Sequence, residues 1–382
     1  MNGKINIKII LPVLMSFFVM SFVDLVGIGV DRVSSDLSLK ATLAQLIPSA
    51  AFLWFLLLSV PVGIMQSRLG KKFVLNIGMC VTALGLLTPF FFRSFAMVLT
   101  GFALLGIGNT IVQVSANPLI VDVVPPNRSS SFLSFSQFVK AIGSVIGAPL
   151  AGLFASFFGN WKLIFLVFGV VSILSVVWLA SVRIDEVRQE GYKATFGTSF
   201  KLLSNGFILL MVLSIFLVVG VDVGFNSNSG QFLMKHFGIE QTAAELGRSV
   251  YFFGRMLGTF AGAIMLTRIS STKFFLWTSV LGIVALLAIL VIPVKIVAWG
   301  LVFIIGLAIA NIFPLVFSIA VEKFPARSNE ISGLMIMAVS GGAFIPLLIG
   351  GISELSNIAA GMSVLIACMI YLISVSVYTL KK

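Results

Sequence analysis

The chain has 382 residues, 59% of them hydrophobic and only 10% charged, with a mean hydropathy of +1.14. A soluble domain has about a quarter of its residues charged. A large soluble all-α protein would also need amphipathic stripes, whereas the segments here are apolar all round, so that class is excluded. The formal charge of +12 does not indicate nucleic acid, because the basic residues sit at segment ends rather than in a patch with aromatics between them.

A transmembrane helix needs about 20 apolar residues. The first candidate, 9–30, contains "MSFVDLVGIGV", which places Asp24 inside an apolar run. No small-residue cleavage site follows it, so it reads as a retained helix and not a signal peptide. Spans 43–66 and 73–92 flank the loop "GIMQSRLGKK" (63–72). The fourth span, 95–122, carries "GIGNTIVQVSANP"; Asn109, Gln113 and Asn117 recur every four residues and share one helix face. Amides both donate and accept, which suits a hydroxyl-rich ligand. The fifth span, 131–158, places Gln137 and Lys140 three apart on one face, and 161–182 completes a first set of six.

The charged stretch "RIDEVRQEGYKATFGTSFK" (183–201) then divides a half of residues 1–182 from a half of residues 202–382. The seventh span, 203–230, carries Asp222, Asn226 and Ser229 in a helical stripe, and the eighth, 245–267, carries Arg255. Spans 274–294, 296–321 (with Asn311), 331–353 and 357–380 follow. Cys80 and Cys368 fall in apolar runs, so no disulfide framework is implied. His236, the one histidine, lies on an outer loop, and no metal set, cofactor motif or clustered nucleophile accompanies it; the expectation is no metal, no cofactor and no enzyme.

Lys and Arg favour cytoplasmic loops. With the N-terminus inside, sixteen basic residues are cytoplasmic, among them Arg68, Lys71, Lys72, Arg128, Arg183, Arg188, Lys193, Arg268 and Arg327. Six are external: Arg32, Lys40, Arg93, Lys162, Lys235 and Lys295. Both termini are therefore expected in the cytoplasm. The halves also repeat at a shift near 200: Asp24 maps near Asp222, Arg68 on Arg268, "VDVVP" (121–125) on "VEKFP" (321–325) and Pro149 near Pro346. Six plus six helices in parallel repeats describe the major facilitator architecture, with the substrate site near mid-membrane at the repeat interface.

Of the acids, only Asp24 and Asp222 lie well inside spans. A mid-helix charge costs about 2.5–3.5 kcal/mol on insertion scales. They either line a wet cavity or pair with Lys140 or Arg255, the two cations nearest mid-span. Phe22, Trp54 and Phe225 are candidates for stacking on a sugar ring. Glycine- and proline-rich "AIGSVIGAPLAG" (141–152) and "SGGAFIPLLIGG" (340–351) occupy equivalent fifth and eleventh spans, where small residues allow close packing and prolines loosen helices.

The loop around Gly63, Arg68, Gly70 and Lys71 resembles the major facilitator pattern Gly-x-x-x-Asp-Arg-x-Gly-Arg-Arg, with Ser67 in place of the Asp. "SANP" (115–118), "FPLVFSIAVE" (313–322) and "SGGAFIPLLIGG" look like the fucose:proton symporter family, which includes bacterial glucose/galactose transporters. That family carries an acid in the first helix and a Glu in the fourth. Here Gly27 takes the place of the former, with Asp24 one turn earlier, and Gln113 takes the place of the latter.

The resemblance implies a twelve-helix, all-α membrane permease that moves a monosaccharide by alternating access across a bacterial inner membrane. The coupling ion is expected to be a proton, with sodium as the other candidate, and the protein a monomer in the bilayer without nucleic acid. Expected substrate contacts are Asp24, Asn109, Gln113, Asn117, Gln137, Asp222, Asn226 and Asn311. Coupling or charge pairing falls to Asp24, Lys140, Asp222 and Arg255, and conformational change to the loop residues and Arg268. The nearest rivals are an exporter or uniporter of another polar metabolite or a drug in the same fold. A non-transporting sensor would need a soluble domain for which no loop is long enough.

Overall fold

The computed structural model describes residues 6–26, 33, 36, 46–92, 94–186 and 194–381. Gly27, the loop cations Arg32, Lys40 and Arg93, and the stretch 187–193 with Arg188 and Lys193 lie outside the described residues. In hydrocarbon every backbone N–H and C=O needs an internal partner, which an apolar helix supplies. The described residues accordingly form twelve spanning segments. The first six are Ile7–Met20 with the 3-10 turn Ser21–Leu25, Leu46–Leu69, Lys71–Phe91, Phe95–Val123, Ser129–Phe158 and Leu163–Ser181. A short helix Phe196–Lys201 precedes the seventh to ninth spans Gly206–Phe237, Gln241–Met265 and Ser271–Val291. The tenth span is split into Lys295–Ile309 and Ile312–Lys323. The eleventh is split into Ser328–Met337 and Gly341–Leu355 by the turn Ala338–Ser340, and Ile358–Leu380 is the twelfth. Eleven of these are apolar enough to cross a membrane on composition alone. The eighth is more polar, holding Glu245, Arg248 and Arg255.

The chain forms two compact units. Unit 1 comprises Met1–Pro126, Val139–Lys201 and Phe324–Met337; unit 2 comprises Asn127–Phe138, Leu202–Lys323 and Ala338–Lys382. The fifth span thus begins in unit 2 and ends in unit 1, and the eleventh does the reverse.

Within unit 1 the second and fourth spans approach so closely that a Cβ on Gly106 would lie 2.1 Å from the Ala51 carbonyl oxygen. Gly63 abuts the backbone of Asn329 and Gly333, where the start of the eleventh span packs beside the second. Gly70 has φ of 95°, a conformation open to glycine, and turns the chain sharply into the third span. The first N–H groups of that helix need an outside acceptor. The Glu186 carboxylate accepts from Lys71 N at 2.7 Å and Lys72 N at 3.0 Å. The Lys71 ammonium is buried and pairs with Asp122 at 2.6 Å. Ser67, standing where the loop pattern has an Asp, donates to its own helix at Ile64 O; it is Gln66 that reaches Asn329 O, at 3.3 Å. Arg68 and Arg268 are exposed.

Within unit 2 the seventh span packs against the second part of the eleventh and against the twelfth, and the eighth against the first part of the tenth. The first turns of the fifth span are held by hydroxyls: Ser130 Oγ is 2.6 Å from both Ser271 Oγ and Ser318 Oγ, and Ser131 donates to Ala263 O.

Candidate functional site

In unit 1 the site starts from a break in a helix. Where the first span changes from α-helix to 3-10 turn, the hydrogen-bond register shifts and carbonyls lose their usual partners. The Met20 carbonyl is taken up by Asn109, whose Nδ2 donates to it at 2.6 Å. Asn109 Oδ1 accepts from Gln113 Nε2 at 2.8 Å, and Asn117 Nδ2 donates to the Gln113 carbonyl at 2.7 Å. The four-residue spacing therefore builds one buried amide ladder. Asn109 uses one donor and one acceptor in this ladder. Among the described residues Gln113 Oε1 keeps a free acceptor and Asn117 Oδ1 is buried without a partner.

Asp24 lies in the 3-10 turn, exposed although its neighbours Phe22, Val23 and Leu25 are buried. Its Oδ2 accepts from the hydroxyl of Ser144 on the fifth span. The same hydroxyl oxygen lies 3.2 Å from the Lys140 carbonyl one turn earlier. The sequence offered Lys140 as a charge partner for Asp24. That pair is not formed; the donor at the carboxylate is the serine hydroxyl. The half-buried Lys140 ammonium makes no ion pair or hydrogen bond among the described residues.

In unit 2 the second acid is fully engaged. Arg255 Nη1 is 2.8 Å from Asp222 Oδ2, and the buried Tyr251 hydroxyl donates to Asp222 Oδ1 at 2.6 Å. The guanidinium also lies 5.9 Å from the Phe252 ring centroid. Asn226 Oδ1 on the seventh span is buried without a partner. Asn311 sits at the break in the tenth span, and its Nδ2 bridges to the Gly258 carbonyl on the eighth at 2.7 Å, leaving Oδ1 unpartnered. Gln137 is half-buried. The candidate stacking rings differ in availability. Phe22 is fully buried and stacked on Phe168 at 4.2 Å, and Phe225 is buried against Tyr251, so neither offers a free face. Trp54 keeps partial exposure.

Two groups were missed from sequence. Tyr251 lies four residues before Arg255, and Ser144 four after Lys140, so each shares a helix face with a named cation. That spacing was the available signal. The arrangement contains two mid-span acids in unlike settings. Asp222 is paired with a cation and accepts from a phenol, while Asp24 has a hydroxyl donor and, among the described residues, no cation. Among the described residues no three His, Cys, Asp or Glu side chains gather as a metal set.

Comparison with known proteins agrees with this architecture. Over 98% of this chain and 99% of the other, the fold superposes on the E. coli fucose:proton symporter FucP, with a TM-score of 0.86 at 16% identity. A glucose/galactose transporter of Brucella abortus is 25% identical over 378 residues, 93% of this chain and 90% of that protein. A putative glucose/galactose transporter of Helicobacter pylori is 24% identical over 383 residues, 94% of this chain and 93% of that protein. The family model described as Major Facilitator Superfamily matches residues 13–346, which is most of the chain. With that match over most of its length, the chain belongs to the Major Facilitator Superfamily.

Proposed function

We propose that this multi-pass membrane protein imports a monosaccharide together with a proton by alternating access, with both termini in the cytoplasm. The names of its relatives support a sugar as cargo. The observation that carries the coupling half is the contrast between the two mid-span acids. Asp222 is already neutralised by Arg255. Asp24 is exposed, bound by one hydroxyl, and set one turn beyond the carbonyl that anchors the Asn109–Gln113 ladder. A carrier must be charged in one state and neutral in another, and among the described residues no cation is bound to Asp24 to hold it in one of them.

In this reading Gln113 offers its free oxygen to a sugar hydroxyl, with Asn117 as a further acceptor. Asn109 and Asn311 hold helices in register around breaks. The uneven distribution of basic residues sets the orientation. The test is uptake of labelled hexoses into proteoliposomes under an imposed pH gradient, interior alkaline. Accumulation above equilibrium is expected, abolished by a protonophore. Failure of any monosaccharide to exchange would reject sugar transport, and exchange without gradient-driven accumulation would reject coupling.

A further inference from the structure

Two cations lie deep in spans, and they differ in what they bind. Arg255 has Asp222. Lys140 is the twelfth residue of the 30-residue helix Ser129–Phe158, roughly 16 Å from its start at ~1.5 Å per residue, and its ammonium has no partner among the described residues. A charged side chain at that depth carries a cost and by default marks a substrate or ion path. Its direction is fixed by its neighbours. Ser144, one turn on and on the same face, binds Asp24 of the first span, and Gly143 packs against Ser21 of the same turn. Lys140 therefore stands on the strip of the fifth span that faces the first span, one turn from the serine that binds Asp24 and not itself bonded to that acid.

Resting on the sugar-transport reading above, we infer that the transported monosaccharide bears a carboxylate, which binds Lys140 while its hydroxyls bind Asp24 and Gln113. Charge arithmetic favours this class over a neutral hexose. In the empty site Asp24 and Lys140 sum to zero. A neutral sugar arriving with one proton on Asp24 would leave the lysine charge unbalanced inside the membrane. A sugar acid arriving with one proton restores the sum to zero, because the substrate carboxylate compensates Lys140 while Asp24 is neutral. The empty and loaded sites are then equally neutral. A phosphorylated sugar, close to doubly charged, would leave a negative excess.

The proposal predicts an electroneutral symport. The probes are labelled D-glucuronate and D-galacturonate beside D-glucose and D-galactose, in proteoliposomes of the full chain. Uronate exchange is expected. Uptake should follow an imposed pH gradient, with no response to a potassium–valinomycin potential at fixed pH. Lys140→Met should lower uronate exchange at least tenfold, whereas Lys140→Arg should retain a measurable part of it, with thermal melting in detergent confirming that both variants fold. Exchange of hexoses but not uronates would overturn this inference and leave sugar transport standing. So would uronate exchange that is unaffected in folded Lys140→Met, or uronate uptake driven by potential alone. Exchange of none of the four sugars would overturn both readings.

Discussion

Removing Arg255 should destabilise the protein, and removing Asp222 as well should restore it. The Asp222 carboxylate receives Arg255 at 2.8 Å and Tyr251 at 2.6 Å, with the arginine and aspartate side chains 28% and 20% exposed. Breaking a buried pair by deleting one partner costs about 3–5 kcal/mol, because the other charge is left uncompensated. Partial exposure lets solvent screen some of that charge, so the low end applies: about 3 kcal/mol for Arg255→Met, or ~100-fold in the folded-to-unfolded ratio. Tyr251→Phe removes one hydrogen bond to a charged group and should cost about 1.5–3 kcal/mol. In Asp222→Asn/Arg255→Met no charge remains to be buried, and most of the loss should return, which a double-mutant cycle measures directly. The assay is thermal melting of purified protein in detergent. Wild-type melting of the single Arg255→Met variant, or a double variant as unstable as the single, would refute the reasoning.

Gln113→Ala should weaken sugar binding while leaving melting near normal, since the free Oε1 is what the substrate loses; unchanged affinity in a binding assay removes Gln113 from the site. Asn109→Leu should act oppositely, on stability first, by leaving the Met20 carbonyl and the Gln113 amide without partners. An unsatisfied buried group costs about 1–3 kcal/mol, and an unaltered melting temperature would contradict that role. Gly106→Val should lower the yield of folded protein sharply, because its Cβ would sit 2.1 Å from the Ala51 carbonyl oxygen and backbone cannot step aside as a side chain can; normal expression and melting would show that the two spans separate more easily than the packing implies.

Much of the fold is legible in residue pattern, because a bilayer admits apolar helices and little else. The twelve apolar runs became twelve spanning segments even where a charge such as Arg255 made one of them more polar. Asp222 and Arg255 were readable as a pair, since two opposite charges at mid-span depth gain from meeting. What stayed hidden depended on side-chain direction. Tyr251 looks like any membrane aromatic until its hydroxyl is seen on a carboxylate. A Lys140–Asp24 ion pair was one of the two alternatives the sequence left open, and Ser144, which binds Asp24 instead, was not foreseen. Asn109 is expected from sequence as a ligand contact; its additional bond to the Met20 carbonyl, at a helix break that no composition announces, was not legible. Phe22 and Phe225 were equally plausible as stacking platforms, and only their packing against Phe168 and Tyr251 shows that their faces are covered.

The central claim is that Asp24 carries the coupled proton, and the direct measurement is sugar counterflow beside proton-driven uptake in Asp24→Asn. Asparagine keeps the shape and an acceptor for Ser144 but cannot cycle between charge states. Counterflow, which needs no net proton movement, should persist while accumulation against a gradient disappears. Proton-driven accumulation that survives in folded Asp24→Asn would contradict it and transfer the role to another group.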